Sequence, residues 1–225
     1  MVSTPDPLQA VWLGRRAFAP LSERQLVWRE AMLRGEADEV VWLVEHPPTI
    51  TKGRRADGGD LLWTADQLAR RGVSVVEAPR GGELTLHAPG QLVAYPLVRI
   101  GRQVREYVVQ LADTAIEVFA DLGVPDLRYD SAHPGVWRGH AKFASLGIHV
   151  SRGIAVHGIA LNIAVDPSLF GALVSCGTPH AKMRSASQEL DVTPPLADVA
   201  RAFAVAFARR RGRPLAWSEE LPNRS

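Results

Sequence analysis

Apolar positions recur with a period near 3.6 in three long segments of the chain, while several shorter segments alternate or run continuously apolar. The first helix is read from Ser22, which forms a capping-box pattern with Gln25, while Leu21 and Leu26 fall at the two positions of a hydrophobic staple. It runs to about Arg34, with Gly35 as a left-handed stop. A second helix, Val104 to Leu122, puts Val108, Leu111, Ala115, Val118, Phe119 and Leu122 on one stripe, and Gly123 and Pro125 close it. A third takes Thr193 as N-cap and Pro194 as its first residue, then buries Leu196, Val199, Phe203 and Phe207.

Strands are predicted at Val40 to His46, Val73 to Glu77, Leu92 to Val98, Lys142 to Val150 and Ile154 to Val165. Val40 to His46 is apolar enough to be buried on both faces, and Pro47 and Pro48 end it. Ser151-Arg152-Gly153 is a short hairpin connection, which demands antiparallel pairing and excludes an all-parallel sheet. The expected class is therefore α+β, with a mixed, largely antiparallel sheet covered by helices. A length of 225 residues suits one domain, taken as residues 8–217, with residues 1–7 and 218–225 as loose tails.

Composition narrows the function. Hydrophobic residues at 46% and charged residues at 22% are ordinary for a globular domain and exclude a disordered or fibrous chain. The net charge is only +2, and the basic residues are scattered except at Arg209, Arg210, Arg211 and Arg213. That run is either a solvated helix end, favoured by the macrodipole, or a dock for an acidic partner. A nucleic-acid-binding module would have to use it. One cysteine rules out an internal disulfide and suits a reducing compartment. The opening MVSTPDPLQA has no basic and apolar leader pattern, and no window approaches the roughly 18 apolar residues of a membrane span, so a soluble, cytoplasmic protein is expected. The seven histidines show no His-x-x-x-His pair or neighbouring cysteine cluster, so no metal site is expected.

Three glycine-bearing polar segments stand out. Arg80-Gly81-Gly82-Glu83-Leu84-Thr85-Leu86-His87-Ala88-Pro89-Gly90-Gln91 pairs glycines, which allow close approach of backbone or ligand, with Arg, Thr and His donors; it is otherwise a plain Gly-rich turn. Lys142-Phe143-Ala144-Ser145-Leu146-Gly147 opens a strand whose partner carries His157-Gly158-Ile159-Ala160-Leu161-Asn162. Strict alternation puts Phe143, Ser145 and Gly147 on one face and Lys142, Ala144 and Leu146 on the other. Lys142 is then either a buried amine or a solvated strand end. Ser175-Cys176-Gly177-Thr178 holds the single thiol. A lone cysteine can be a small buried hydrophobe, but Gly177 lets the next backbone N–H turn toward a reacting carbonyl.

In this order and spacing the segments resemble the lipoyl(octanoyl) transferase family. Its RGG-x-x-T-x-H-x-P-G-Q matches Arg80 to Gln91, its K-x-A-x-x-G matches Lys142 to Gly147, its H-G-x-A-L-N matches His157 to Asn162, and its C-G matches Cys176 and Gly177. The resemblance spans about Trp28 to Glu189 and implies a biotin/lipoyl protein ligase-like fold. It implies an acyl-thioester on Cys176, tuned by Lys142, and substrate binding by Arg80, Gly81, Gly82, Glu83, Leu84, Thr85, Leu86, His87, Ser145, Leu146, Gly147, Gly158, Ile159 and Ala160. Octanoyl-acyl-carrier protein is the implied donor, and lipoyl domains of 2-oxoacid dehydrogenase complexes and the glycine-cleavage H protein the implied acceptors, with no cofactor and no ATP. Leu86 and Ala88 stand where Tyr and Gly are commoner, and Ser175 where a Pro is. The competing readings are an ATP-dependent lipoate or biotin ligase, for which Lys52-Gly53-Arg54-Arg55 is a poor nucleotide loop, and an amidotransferase moving octanoyl between lipoyl domains.

Overall fold

The computed structural model describes residues 5–56, 58–174 and 182–219. In chain order the elements are β1 (Leu8–Arg15), α1 (Phe18–Arg34), β2 (Val40–Glu45), β3 (Thr49–Lys52), α2 (Ala65–Arg70), β4 (Ser74–Glu77), β5 (Leu84–His87) and β6 (Gln91–Arg99). They continue with α3 (Val104–Asp121), β7 (Arg128–Asp130), β8 (Gly135–Arg138), β9 (Ala141–Ser151), β10 (Ile154–Asn162), β11 (Lys182–Met183), α4 (Leu196–Arg210) and β12 (Leu215–Ser218).

The main sheet runs β12-β1-β2-β6-β10-β9-β8-β7, with β11 on β9, and a second sheet runs β4-β3-β5. β1 lies parallel to β2 and β12, while β2, β6, β10, β9 and β8 pair antiparallel in turn, so the sheet is mixed and largely antiparallel. β2 is apolar throughout because both faces are covered. Val41 and Leu43 join the core under α3 and α4, while Val40, Trp42 and Val44 join the core under α1. A third core lies beneath the small sheet, around Ile50, Leu84, Leu86 and Ala88.

Two helix starts differ from the sequence reading. α1 begins four residues before Ser22, after Ala17, and no side chain caps it. Pro20 sits in its first turn, where a missing N–H costs nothing. Ser22 and Gln25 are buried against the sheet instead of capping, and Gln25 Oε1 accepts the backbone N–H of His157 at 2.7 Å. α4 begins at Leu196, with Pro195 as its N-cap. Pro195 holds the residue before it out of the helical region, so neither Thr193 nor Pro194 can open the helix. The other end of α4 explains the arginine run. Arg209 and Arg210 pair with Glu117 of α3, and Arg211 and Arg213 with Glu39 before β2, at 3.7 and 2.5 Å for the last two. All four arginines are internal ties.

The β9–β10 hairpin is closed by Arg152 and Gly153, both at positive φ (48° and 76°), as a two-residue turn matching strand twist requires. Among the described residues, no helix is long and apolar enough to cross a membrane.

Candidate active site

The site is built where β9 departs from regular alternation. Val136 of β8 pairs with Ala144, but the next residue, Trp137, pairs with Lys142, leaving Phe143 as an extra residue in β9. The bulge reverses the expected partition of faces. Phe143 and Ala144 both enter the core under α3, where Phe143 meets Phe119 edge-on at 5.8 Å. Lys142 turns to the other face, shared with Gly135 and its partner Ser145. There it is fully buried, with Nζ 4.9 Å from the centre of the Trp137 ring. Gly135 makes the room: a Cβ at this position would lie 2.5 Å from Lys142 Cε and 2.8 Å from both the Ala144 carbonyl oxygen and Trp137 Nε1.

On the face that Lys142 shares with Ser145 lies a narrow slot. Thr85, Ser145, Gly147, Gly158, Ile159 and Ala160 line it together with Arg80, His87 and Leu146. Leu84 and Leu86 point the other way, into the core beneath the small sheet, as alternation along β5 requires. Ala88 lies in that core too, so the two family departures at Leu86 and Ala88 do not shape the slot wall.

Arg80 is a buried anchor. Its Nε and Nη2 donate to Thr51 Oγ1 at 3.0 and 2.6 Å, Nη2 also donates to the Thr51 carbonyl, and Nη1 donates to the Gly81 carbonyl. Gly81 N–H reaches the Ile148 carbonyl, which ties the Arg80 to Glu83 segment to β9. Gly81, Gly82 and Glu83 face a second, wider groove that is open to solvent. Leu146 and Gly147 belong to the walls of both spaces.

Phe18, His87, Tyr95 and His157 line the slot, with His46 packed against Phe18, His87 and Tyr95, and of this cluster only His87 is a site residue of the sequence reading. The Phe18 ring stacks with His87 at 5.5 Å and with His157 at 6.4 Å. Hydrogen bonds fix two tautomers. Gln91 Nε2 donates to Asn162 Oδ1 and to the Leu86 carbonyl, so Gln91 Oε1 accepts from His87 Nδ1 at 2.7 Å and His87 Nε2 is left as an acceptor. His46 Nδ1 donates to the Arg16 carbonyl, so its Nε2 accepts from the Tyr95 hydroxyl at 2.9 Å.

Burial drives the imidazoles to their neutral form. It lowers His46 to about 4, lowers His157 to about 3 with help from Arg80, and holds His87 well below the ordinary value with help from His46. Both ring nitrogens of His157 are buried without a hydrogen-bond partner among the described residues. Its backbone is in the left-handed region at φ 59°, where β10 passes Pro96, a residue with no N–H to pair. Gly158 follows because a Cβ there would overlap the Ala94 carbonyl. No local sequence signal assembles this cluster, since its members come from α1, β5, β6, β10 and the end of β2.

Cys176 lies in the segment 175–181, outside the described residues. The described chain leaves at Val174, whose N–H donates to the Asp60 carbonyl, and resumes at Lys182 alongside Ala141. Met183 pairs with Lys142, and Arg184 N–H donates to the Lys142 carbonyl at 3.0 Å, so that flank runs beside the Lys142 backbone. Among the described residues no group of three or more His, Cys, Asp or Glu could hold a metal ion.

The structure thus combines a mixed sheet covered by helices, a buried lysine on its bulged strand and a narrow slot on the same face. The chain matches the lipoyl protein ligase A/B catalytic domain family over residues 22–208. An octanoyltransferase of Chloroflexus aggregans is 42% identical over 194 residues, covering 84% of this chain and 87% of the relative. Among solved structures, the bipartite lipoate protein ligase of Thermoplasma acidophilum superposes with a TM-score of 0.73 at 12% identity, covering 96% of this chain and 88% of that one. A biotin protein ligase of Aquifex aeolicus, in complex with biotin, superposes with a TM-score of 0.54 at 9% identity, covering 90% and 70%. The chain belongs to the lipoyl protein ligase A/B family and, within it, to the lipoyl(octanoyl) transferases; it is an acyltransferase.

Proposed function

We propose that the enzyme takes an octanoyl group from octanoyl-acyl-carrier protein, holds it as a thioester on Cys176, and passes it to a lysine of a lipoyl domain. This is the first step of endogenous protein lipoylation, carried out in the cytoplasm on lipoyl domains of 2-oxoacid dehydrogenase complexes and the glycine-cleavage H protein. The observation that carries the reading is Lys142, fully buried on the slot face of β9 beside the flank of the Cys176 segment. A buried amine can carry a proton to and from a nearby thiol, and the single thiol of the chain is the group Lys142 would serve.

In the first half-reaction the Lys142 amine takes the thiol proton, the Cys176 thiolate attacks the donor carbonyl, and the phosphopantetheine thiolate leaves with that proton. In the second, the acceptor amine attacks the enzyme thioester and gives up a proton to the lysine. The lysine returns this proton to the departing Cys176 thiolate, and an amide remains. Thioester to thioester to amide runs downhill, so neither ATP nor a resident cofactor is needed. The acyl tail lies in the slot against Thr85, Ser145, Leu146, Gly147, Gly158, Ile159 and Ala160, with the neutral imidazoles at its depth. Arg80 holds the slot's shape.

The test is octanoyl transfer to an isolated lipoyl domain from octanoyl-carrier protein with nucleotide removed by apyrase. Transfer is expected at full rate. A requirement for ATP, with free octanoate as donor, would convert the enzyme into a ligase and overturn the proposal.

A further inference from the structure

We propose that Arg54 and Arg55 grip the phosphate ester of the donor's phosphopantetheine arm, which lies in the wide groove beside the acyl slot. The inference rests on the proposed thioester donor. Both arginines line the groove, both are exposed, and neither forms an ion pair among the described residues. Neighbouring cations are treated differently: Lys52 is paired with Glu77, and Arg80 is buried on Thr51.

The backbone beneath the two guanidinium stems is fixed. Gly53, Arg54 and Arg55 donate their N–H groups to the carbonyls of Glu83, Arg80 and Gly82 at 3.0, 3.2 and 3.0 Å. Gly53 is required for this approach, because a Cβ there would overlap the Gly82 carbonyl. Two free guanidinium groups on a fixed loop form a preorganised phosphate clamp, since Arg presents planar, paired donors to phosphate oxygens.

The rest of the groove suits the arm. Leu146 and Gly147 join it to the slot, so a thioester at this junction sends its acyl chain one way and its pantetheine the other. Glu83, on the same wall, has a buried Oε2 with no hydrogen-bond partner among the described residues, an acceptor for an amide N–H of the arm. Tyr129 and Pro134 line it as well, a surface for the arm's methyl-bearing carbon. A nucleotide would offer the same phosphate chemistry, so the experiment separates the two sources.

Octanoyl-phosphopantetheine and octanoyl-pantetheine, which differ only by the phosphate, are compared as donors to one lipoyl domain. The wild type is expected to favour the phosphorylated donor by about tenfold or more in kcat/KM, the value of a charge-assisted contact. In Arg54→Gln/Arg55→Gln that ratio falls to about one, and Arg54→Lys/Arg55→Lys restores part of it. A wild-type ratio near one, or a ratio that survives the double glutamine substitution, overturns the proposal. So does a raised KM for the lipoyl domain with the donor ratio intact, which would put the arginines against the acceptor. If the phosphate belongs to a nucleotide, the wild type is active with octanoate and ATP and inert toward both thioesters. That outcome removes the thioester reading itself, whereas the others leave it standing.

Discussion

At the scale of single residues, the proposed chemistry turns on how little space surrounds Lys142. Its stem passes Gly135 so closely that a methyl group there would meet Cε at 2.5 Å, and the Ala144 carbonyl and Trp137 Nε1 at 2.8 Å prevent sideways relief. Gly135→Ala is therefore expected to push the amine off its position, lowering transfer at least about tenfold at a stability cost of about 1–3 kcal/mol. Transfer rates and urea midpoints measured together check this; an unchanged rate would show that the amine's position is unimportant. Lys142→Met isolates the charge itself. Alkylation of Cys176 at neutral pH should slow, and its pH profile should move toward the isolated-thiol value of about 8.5. An identical profile in the variant would mean that lysine and thiol are not coupled.

At the scale of elements, the sequence conveyed what repeats and missed what interrupts. The stripe of α3, apart from Val108, which lines the wide groove, the both-faced burial of β2 and the β9–β10 hairpin follow from periodicity and turn chemistry, and all are present. The bulge at Phe143 is invisible to alternation, because one extra residue changes the face without changing the composition, and so Lys142 was assigned to the wrong side. Ser22 and Gln25 imitate a capping box, yet tertiary contact with His157 claims the glutamine. Short strands such as β7, β8 and β12 carry too few residues to show a period. Three of the four motifs supply residues that line the slot, while Cys176-Gly177 lies outside the described residues and the imidazole cluster needed the fold to bring five segments together.

That cluster has a pH signature. His46 and His157 titrate at about 4 and about 3 in the folded protein, below the ordinary 6.5, because burial penalises the imidazolium. On unfolding each regains its ordinary value and takes up a proton below it. Stability is thus complete above about pH 6.5 and falls as pH drops toward 4, by about 1.4 kcal/mol per pH unit for each of the two imidazoles. Urea midpoints at pH 6.5, 5.5 and 4.5 measure the slope, and His157→Gln should make it shallower. A slope that His157→Gln leaves unchanged would mean that this ring is already charged or exposed.

At the scale of the whole molecule, two spaces meet at Leu146 and Gly147, a narrow one proposed for the acyl chain and a wide one open to solvent. The narrow one ends on aromatic and imidazole rings, so acyl length should be selected. Each buried methylene is worth about 0.8 kcal/mol, so a six-carbon donor should lose about tenfold to twentyfold against octanoyl, and twelve carbons should meet the packed wall. Transfer rates from six-, eight-, ten- and twelve-carbon donors trace the profile; a flat series would contradict a closed slot.

In the proposed reaction the acyl group rests on Cys176 between the two partners. Intact mass of the enzyme after incubation with octanoyl-carrier protein, without nucleotide and without acceptor, addresses it directly. The wild type should gain one octanoyl group, release it when a lipoyl domain is added, and gain none as Cys176→Ala. An adduct that persists in Cys176→Ala, or transfer that proceeds at the wild-type rate in that variant, would contradict it.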